Sequence, residues 1–325
     1  MRQNPFGLLG QASALTLGGG GIGMLWGPTD RDEARATITA AIDGGIDVLD
    51  TAPIYGECEA IVGATFAGRL PGHVRITTKC QLGSPEAASI RGILEASLAA
   101  SLAAMRLERV DVFFLHSNIC ADDYVYANRP DLQDRVATRW SLYIEQVVPA
   151  MQALKASGRI GAWGITGIGV PAAIVRALEA DARPDYVQAI TNLLDSAGAI
   201  RRFAEPAEPR RIIAAANAAG VAVLGIRAVQ AGALTDAIDR PLSGNHPETR
   251  DYERAAPFRA WCAARGESVA AVAHRYALSL AGVATVLLGV KNRAELGECL
   301  AAEARGPLDA ATMAEIDALG LRAGG

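Results

Sequence analysis

The 325-residue chain carries 31 Lys and Arg against 35 Asp and Glu, a formal net charge of −4, with 50% of its residues hydrophobic and 20% charged. That balance excludes electrostatic capture of nucleic acid or an anionic membrane and leaves a small-molecule substrate open. No apolar run reaches the roughly eighteen residues of a spanning helix, and MRQNPFGLLG does not read as a signal peptide, so the expectation is a cytoplasmic globular protein.

The chain alternates short apolar runs with longer helical patterns. The runs are ALTLG (14–18), IDVLD (46–50), VRITTK (74–79), VDVFFLH (110–116), IGAWGIT (160–166), YVQAI (186–190), VAVLGI (221–226) and VATVLLG (283–289). Asp30 caps a helix striped by Ala34, Ile38, Ala41 and Ile42 and closed by Gly44-Gly45. Ser84-Pro85-Glu86 opens a second helix, running to about Met105. Further helical stretches are expected at about 142–157, 171–181, 209–219, 252–265, 268–280, 293–303 and 309–319.

Eight strand–helix units, with strands too apolar to face water on either side, predict a (β/α)8 barrel, read as one domain over 1–325. Two long connections, 117–140 and 228–251, fall at the C-terminal face of such a barrel. The first, rich in aromatics and charges, suits a lid over a substrate. Five scattered cysteines without a C-x-x-C (Cys58, Cys80, Cys120, Cys262 and Cys299) read as free thiols, and no metal site is expected. Cys58 and Cys120 stand out only because they follow candidate site residues.

Catalytic groups of a barrel sit where its strands end. Asp50, Lys79 and His116 end the second, third and fourth strands, and Tyr55 lies in the following turn TAPIYG. Each has a plain structural use alone: a cap, a solvated strand end, a core histidine, a surface plug. Together they form a proton device. A phenol with a pKa near 10 is a poor acid or base at neutral pH, and a nearby ammonium favours its ionised form. Asp50 holds Lys79 charged, Tyr55 moves the proton, and neutral His116 orients a substrate oxygen.

In these segments, GGIDVLDTAPIYG, ITTK, VDVFFLHS and LKASGRIGAWGIT, the chain resembles the aldo-keto reductase superfamily along nearly its whole length. The resemblance makes Asp50, Tyr55, Lys79 and His116 its catalytic tetrad. It implies hydride transfer between a nicotinamide dinucleotide and a small aldehyde, ketone or alcohol. On the cofactor side it assigns Thr166, Gly167 and Gln188 to the carboxamide. Gly167 stands where the family usually has Asn, and GIRAVQAGAL lacks the usual stacking aromatic. Arg227 is left as a grip for pyrophosphate. LLGVKNRAEL, with Gly289, Lys291, Asn292 and Glu295, aligns with the adenosine-phosphate site. There Lys291 and Arg293 favour NADP, while Glu295 favours NAD; Asn292 and Glu295 also fit a capping box. NADP is the expectation and NAD the alternative.

LGGGGIGMLWG (17–27) raises a competing motif, since Gly18, Gly20 and Gly23 fit the G-x-G-x-x-G of a Rossmann turn. That motif needs a helix at its third glycine, and no helical pattern starts here before about Asp30. The run resembles instead the family branch of sugar, lactol and pyridoxal dehydrogenases. Gly20 and Gly21 are then expected to lie against the cofactor, with Trp26 walling the substrate pocket. Two other readings stay open: a cofactor-binding regulatory subunit of slow turnover, and a barrel using Lys79 for a Schiff base. Oligomeric state is left open.

Overall fold

The computed structural model describes residues 1–27 and 29–322; Pro28 and the last three residues of the expected 1–325 domain lie outside them. Each of the eight apolar runs contains a strand: β1 Leu15–Gly18, β2 Val48–Asp50, β3 Arg75–Cys80, β4 Val110–Leu115, β5 Ile160–Thr166, β6 Tyr186–Ile190, β7 Ala222–Ile226 and β8 Val283–Leu288. They pair in parallel and close into a barrel in the order β6-β7-β8-β1-β2-β3-β4-β5. This is the (β/α)8 barrel that the alternation predicts.

Because side chains alternate across a strand, residues two apart share a face. Val48, Val112, Phe114 and Tyr186 belong to one buried cluster in the lower barrel. Two residues further up their strands stand Asp50, His116 and Gln188. The apolar layer therefore floors a polar layer at the mouth. An N-terminal hairpin, Gln3–Pro5 with Gln11–Ser13, closes the far end, and Phe6 plugs it against Tyr186. The Tyr186 hydroxyl donates to the Phe6 carbonyl at 2.8 Å and accepts from the Leu9 N–H at 3.1 Å.

Helices cover the barrel: α1 Arg31–Asp43, α2 Cys58–Phe66, α3 Ile90–Met105, α4 Val148–Ala156, α5 Pro171–Glu179, α6 Pro209–Ala218, α7 Pro247–Arg254, α8 Ala256–Ala263, α9 Val269–Leu278, α10 Arg293–Ala304 and α11 Ala310–Asp317. Asp30 caps α1 as expected, accepting from the Glu33 N–H at 2.7 Å. Four local expectations are corrected. Ser84 caps nothing; its hydroxyl donates to the Ala137 carbonyl, and α3 begins only at Ile90 after a 3-10 turn. The 252–265 stretch is two helices, separated at Ala255 with Pro257 opening the second. The 142–157 stretch begins with a π turn, Tyr143–Val147, ahead of Pro149, whose missing N–H breaks the regular ladder. Gly19–Ile22 forms one helical turn where none was expected, far short of the long helix a Rossmann motif requires.

The segment Ala87–Met105 is long and apolar enough to cross a membrane by length and composition, contrary to the expectation of no such segment. In the fold it is a covering helix: Ile90, Leu94, Leu98, Leu102 and Met105 are buried, while Arg91 and Glu95 pair at 2.8 Å on the exposed face.

Candidate active site

Strand register sets the site. Gly18 pairs with Asp50 and Asp50 with Thr77, so the ends of β1, β2 and β3 stand level at the mouth. Asp50 and Lys79 are sealed from solvent, at 1% and 0% exposure, while Tyr55 and His116 are half-buried above them. Lys79 Nζ donates to Asp50 Oδ2 at 2.5 Å and to the Thr51 carbonyl at 2.8 Å. It also sits 4.6 Å from the centroid of the Tyr55 ring. The His116 ring meets that ring edge-on at 5.8 Å. The four residues named from sequence thus converge on one mouth.

Two residues that sequence reasoning missed support the pair, one at the carboxylate and one in the loop beside it. The Thr77 hydroxyl donates to Asp50 Oδ1 at 2.6 Å, and the Thr51 hydroxyl ties the loop to the Thr77 carbonyl at 2.8 Å. ITTK held the signal, since Thr77 lies two positions before Lys79 and shares its inward face. Gln188, expected at the carboxamide, donates its Nε2 to Asp50 Oδ1 at 2.6 Å. Asp50 is therefore held at both oxygens by three side-chain donors.

Electrostatics follow from burial and this shell. Burial pulls the Lys79 ammonium down, but the charge of Asp50, with Tyr55 behind it, outweighs burial and leaves Lys79 above its ordinary value. An amine held charged is no nucleophile, which weighs against Schiff-base chemistry. Burial raises Tyr55; Lys79 opposes it and Asp50 reinforces it, so the phenol lies above its ordinary value. The expected pull of Lys79 is present, outweighed by desolvation. Burial, then the Lys79 charge, lowers His116 to about 3, so the ring is neutral at physiological pH. Its Nδ1 is buried without a hydrogen-bond partner among the described residues. Burial pushes the Cys58 and Cys120 thiols up, so neither is a ready thiolate.

The remaining expected contacts are distributed around the mouth. Thr166 ends β5 beside Gln188 in register, and the Gly167 N–H donates to the Gln188 carbonyl at 2.6 Å. Arg227, directly after β7, bonds Glu248 Oε1 at 2.9 Å and Gln230 Oε1 at 2.8 Å. Lys291 pairs with Asp239 and with Glu295 at 3.1 Å. Arg293 pairs with Glu33 at 2.8 Å. Asn292 caps α10, accepting from the Glu295 N–H at 2.9 Å, and the Glu295 carboxylate reaches back to the Lys291 N–H at 2.9 Å. Trp26 lies beside Gly20 and Gly289, with Arg240 of the 228–251 connection 5.7 Å from its ring. The 117–140 connection is built rather than irregular. Asn118–Cys120 and Ala137–Arg139 pair in parallel, and the Tyr124 hydroxyl binds Glu205 of the post-β6 loop at 2.6 Å.

The aldo/keto reductase family, a family of oxidoreductases, matches residues 14–320. The chain belongs to that family. It is 24% identical over 317 residues, 95% of this chain and 91% of the other, to L-galactose dehydrogenase of Arabidopsis thaliana. Among solved structures it resembles the glycerol dehydrogenase AKR11B4 from Gluconobacter oxydans, with a TM-score of 0.71, 23% identity, and 98% and 94% of the two chains covered. The holo form of aldo-keto reductase AKR11C1 from Bacillus halodurans also gives 0.71, at 21% identity over 98% and 96%.

Proposed function

We propose that the chain transfers hydride between a nicotinamide cofactor and a small aldehyde, ketone, sugar lactol or polyol, with Tyr55 as the proton carrier. The observation that carries this reading is the stack at the mouth: Asp50 under Lys79 at 2.5 Å, and Lys79 under the Tyr55 ring at 4.6 Å. Nothing in that set accepts or donates two electrons, so its chemistry fits a redox partner bound beside it. A bound nicotinamide supplies or takes the hydride. Thr166 and Gln188 would face its carboxamide, while Arg227, paired with Glu248 at 2.9 Å, would reach its pyrophosphate only by leaving that carboxylate.

For reduction, Tyr55 as a neutral phenol donates its proton to the developing alkoxide, and Lys79 stabilises the phenolate left behind. His116, uncharged, hydrogen-bonds the substrate oxygen and orients it. For oxidation the same groups run in reverse, and Tyr55 must first ionise. The sugar or polyol class is supported by the names of the similar proteins, L-galactose dehydrogenase and glycerol dehydrogenase.

The cofactor we propose is NAD rather than the NADP expected from sequence. Lys291 and Arg293 face three carboxylates, Glu33, Asp239 and Glu295, so the pair is already neutralised. A 2′-phosphate would have to displace a carboxylate to gain either cation. The test is direct. The purified protein is given NAD or NADP with a panel of aldoses, lactols, glycerol and small aldehydes, and nicotinamide absorbance is followed. Turnover with NAD and a hydroxylated substrate is expected. Cofactor binding without any turnover would favour a slow regulatory subunit.

A further inference from the structure

The glycine run is not accounted for by the tetrad. Gly19–Ile22 makes a single buried turn after β1, and the space around each glycine shows what the run fits between. On one side a Cβ at Gly21 would stand 2.0 Å from the Val290 carbonyl oxygen, at the exit of β8. On the other, a Cβ at Gly19 would stand 2.7 Å from the Asp50 carbonyl oxygen and 3.3 Å from Tyr55 Cδ2. The tightest approach is at Gly23, where a Cβ would lie 1.7 Å from the carbonyl oxygen of Tyr55 itself. The contact is reciprocal. Gly56, in the left-handed region at φ +54°, would put a Cβ 2.3 Å from the Gly23 carbonyl oxygen. Backbone therefore meets backbone at the residue whose side chain lies over Lys79. The Tyr55 segment is otherwise held by its N–H to Ala52 at 3.0 Å and its carbonyl to the Cys58 N–H at 3.1 Å.

We propose that Gly23 and Gly56 are positioning residues for Tyr55, a side-chain-free seat that sets the height of the phenol above Lys79, rather than part of a dinucleotide cradle. This rests on reading Tyr55 as the acid/base group. Gly23 has φ −85°, open to any residue, so alanine there tests the collision and not backbone freedom. No rearrangement of alanine's one carbon avoids a backbone oxygen at that distance, so the Tyr55 loop or the glycine turn facing it must shift.

The experiment compares Gly23→Ala with Gly21→Ala, a similar collision aimed at β8, and with Tyr55→Phe. It reads kcat, the pH profile of alcohol oxidation, and reduced-cofactor affinity by fluorescence. For Gly23→Ala, kcat should fall about a hundredfold, the cost of roughly an ångström of misplacement. Its alkaline limb should move up by about one unit as Tyr55 leaves Lys79, with cofactor affinity within about threefold. Gly21→Ala should keep the parent limb. If Gly23→Ala does not fold, Gly56→Asn makes the collision from the other side, because asparagine tolerates the left-handed region. A folded Gly23→Ala or Gly56→Asn with parent kcat and pH profile, beside an inactive Tyr55→Phe, overturns the seat and leaves the acid/base reading standing. If neither variant folds, the contact is a folding requirement and the proposal is overturned. An active Tyr55→Phe instead overturns the acid/base reading, and the seat with it.

Discussion

Replacing Lys79 by Met removes one half of a fully buried ion pair while keeping the volume of its stem. The pair is short, 2.5 Å, and both partners are essentially unexposed. Breaking such a pair by deleting one member typically costs about 3–5 kcal/mol, because the surviving charge stays buried. Here Thr77 and Gln188 still donate to Oδ1, so the loss falls on Oδ2 and the low end, about 3 kcal/mol, applies. With an unfolding entropy of about 2.1 cal/mol/K per residue, a chain of this size loses about 4–5 °C in midpoint. Urea and thermal unfolding of Lys79→Met, Asp50→Asn and the double variant give the coupling directly. The double variant should recover most of the stability loss, while all three should lose activity on the acid/base reading. A single variant within about 0.5 kcal/mol of the parent, or a double variant no more stable than Lys79→Met, would refute the reasoning.

Three further outcomes are expected. His116 is held at about 3 in the folded chain against 6.5 ordinarily, so its contribution to stability is full above pH 6.5 and is lost as pH falls toward 3. His116→Gln should flatten the stability curve by about 1 kcal/mol between pH 6.5 and 5; parallel curves would contradict this. Tyr55 lies above its ordinary value through burial, so alcohol oxidation should climb with pH into the alkaline range while carbonyl reduction holds through neutrality. A plateau in oxidation below pH 7 would show the phenol to be otherwise. Glu33→Gln frees Arg293 and should improve NADP affinity several-fold with little change for NAD, measured by fluorescence titration. An unchanged NADP affinity would remove the ion pair from cofactor choice.

The barrel was legible because its eight strands are buried on both faces and read as apolar runs, and the tetrad because polar residues at strand ends interrupt them. What sequence could not show was partnership. The helix Cys58–Phe66 escaped notice because CEAIVGATF is apolar on nearly every side, with no polar stripe to reveal a period. Gly63 within it comes so close to α3 that a Cβ would lie 2.2 Å from the Ala104 carbonyl oxygen. Arg227 read as a grip for pyrophosphate, and its pairing with Glu248 was not legible because that residue lies twenty-one positions away, on a helix whose place depends on the long connection before it. Lys291 and Arg293 read as phosphate ligands for the same reason, since Glu33 and Asp239 are distant in sequence. The glycine run fits a phosphate turn by spacing, a reading set aside from sequence for want of a following helix; that its neighbours are the carbonyls of Tyr55 and Val290 shows only in the fold.

The central claim is that Tyr55 carries the proton. Tyr55→Phe removes one oxygen and leaves the ring over Lys79. Single-turnover reduction of an aldehyde by bound reduced cofactor, paired with cofactor titration of the same sample, tests it most directly. The account predicts parent-like cofactor affinity and a hydride-transfer rate lowered by about 10²–10⁴-fold. Transfer at the parent rate with cofactor bound would contradict it.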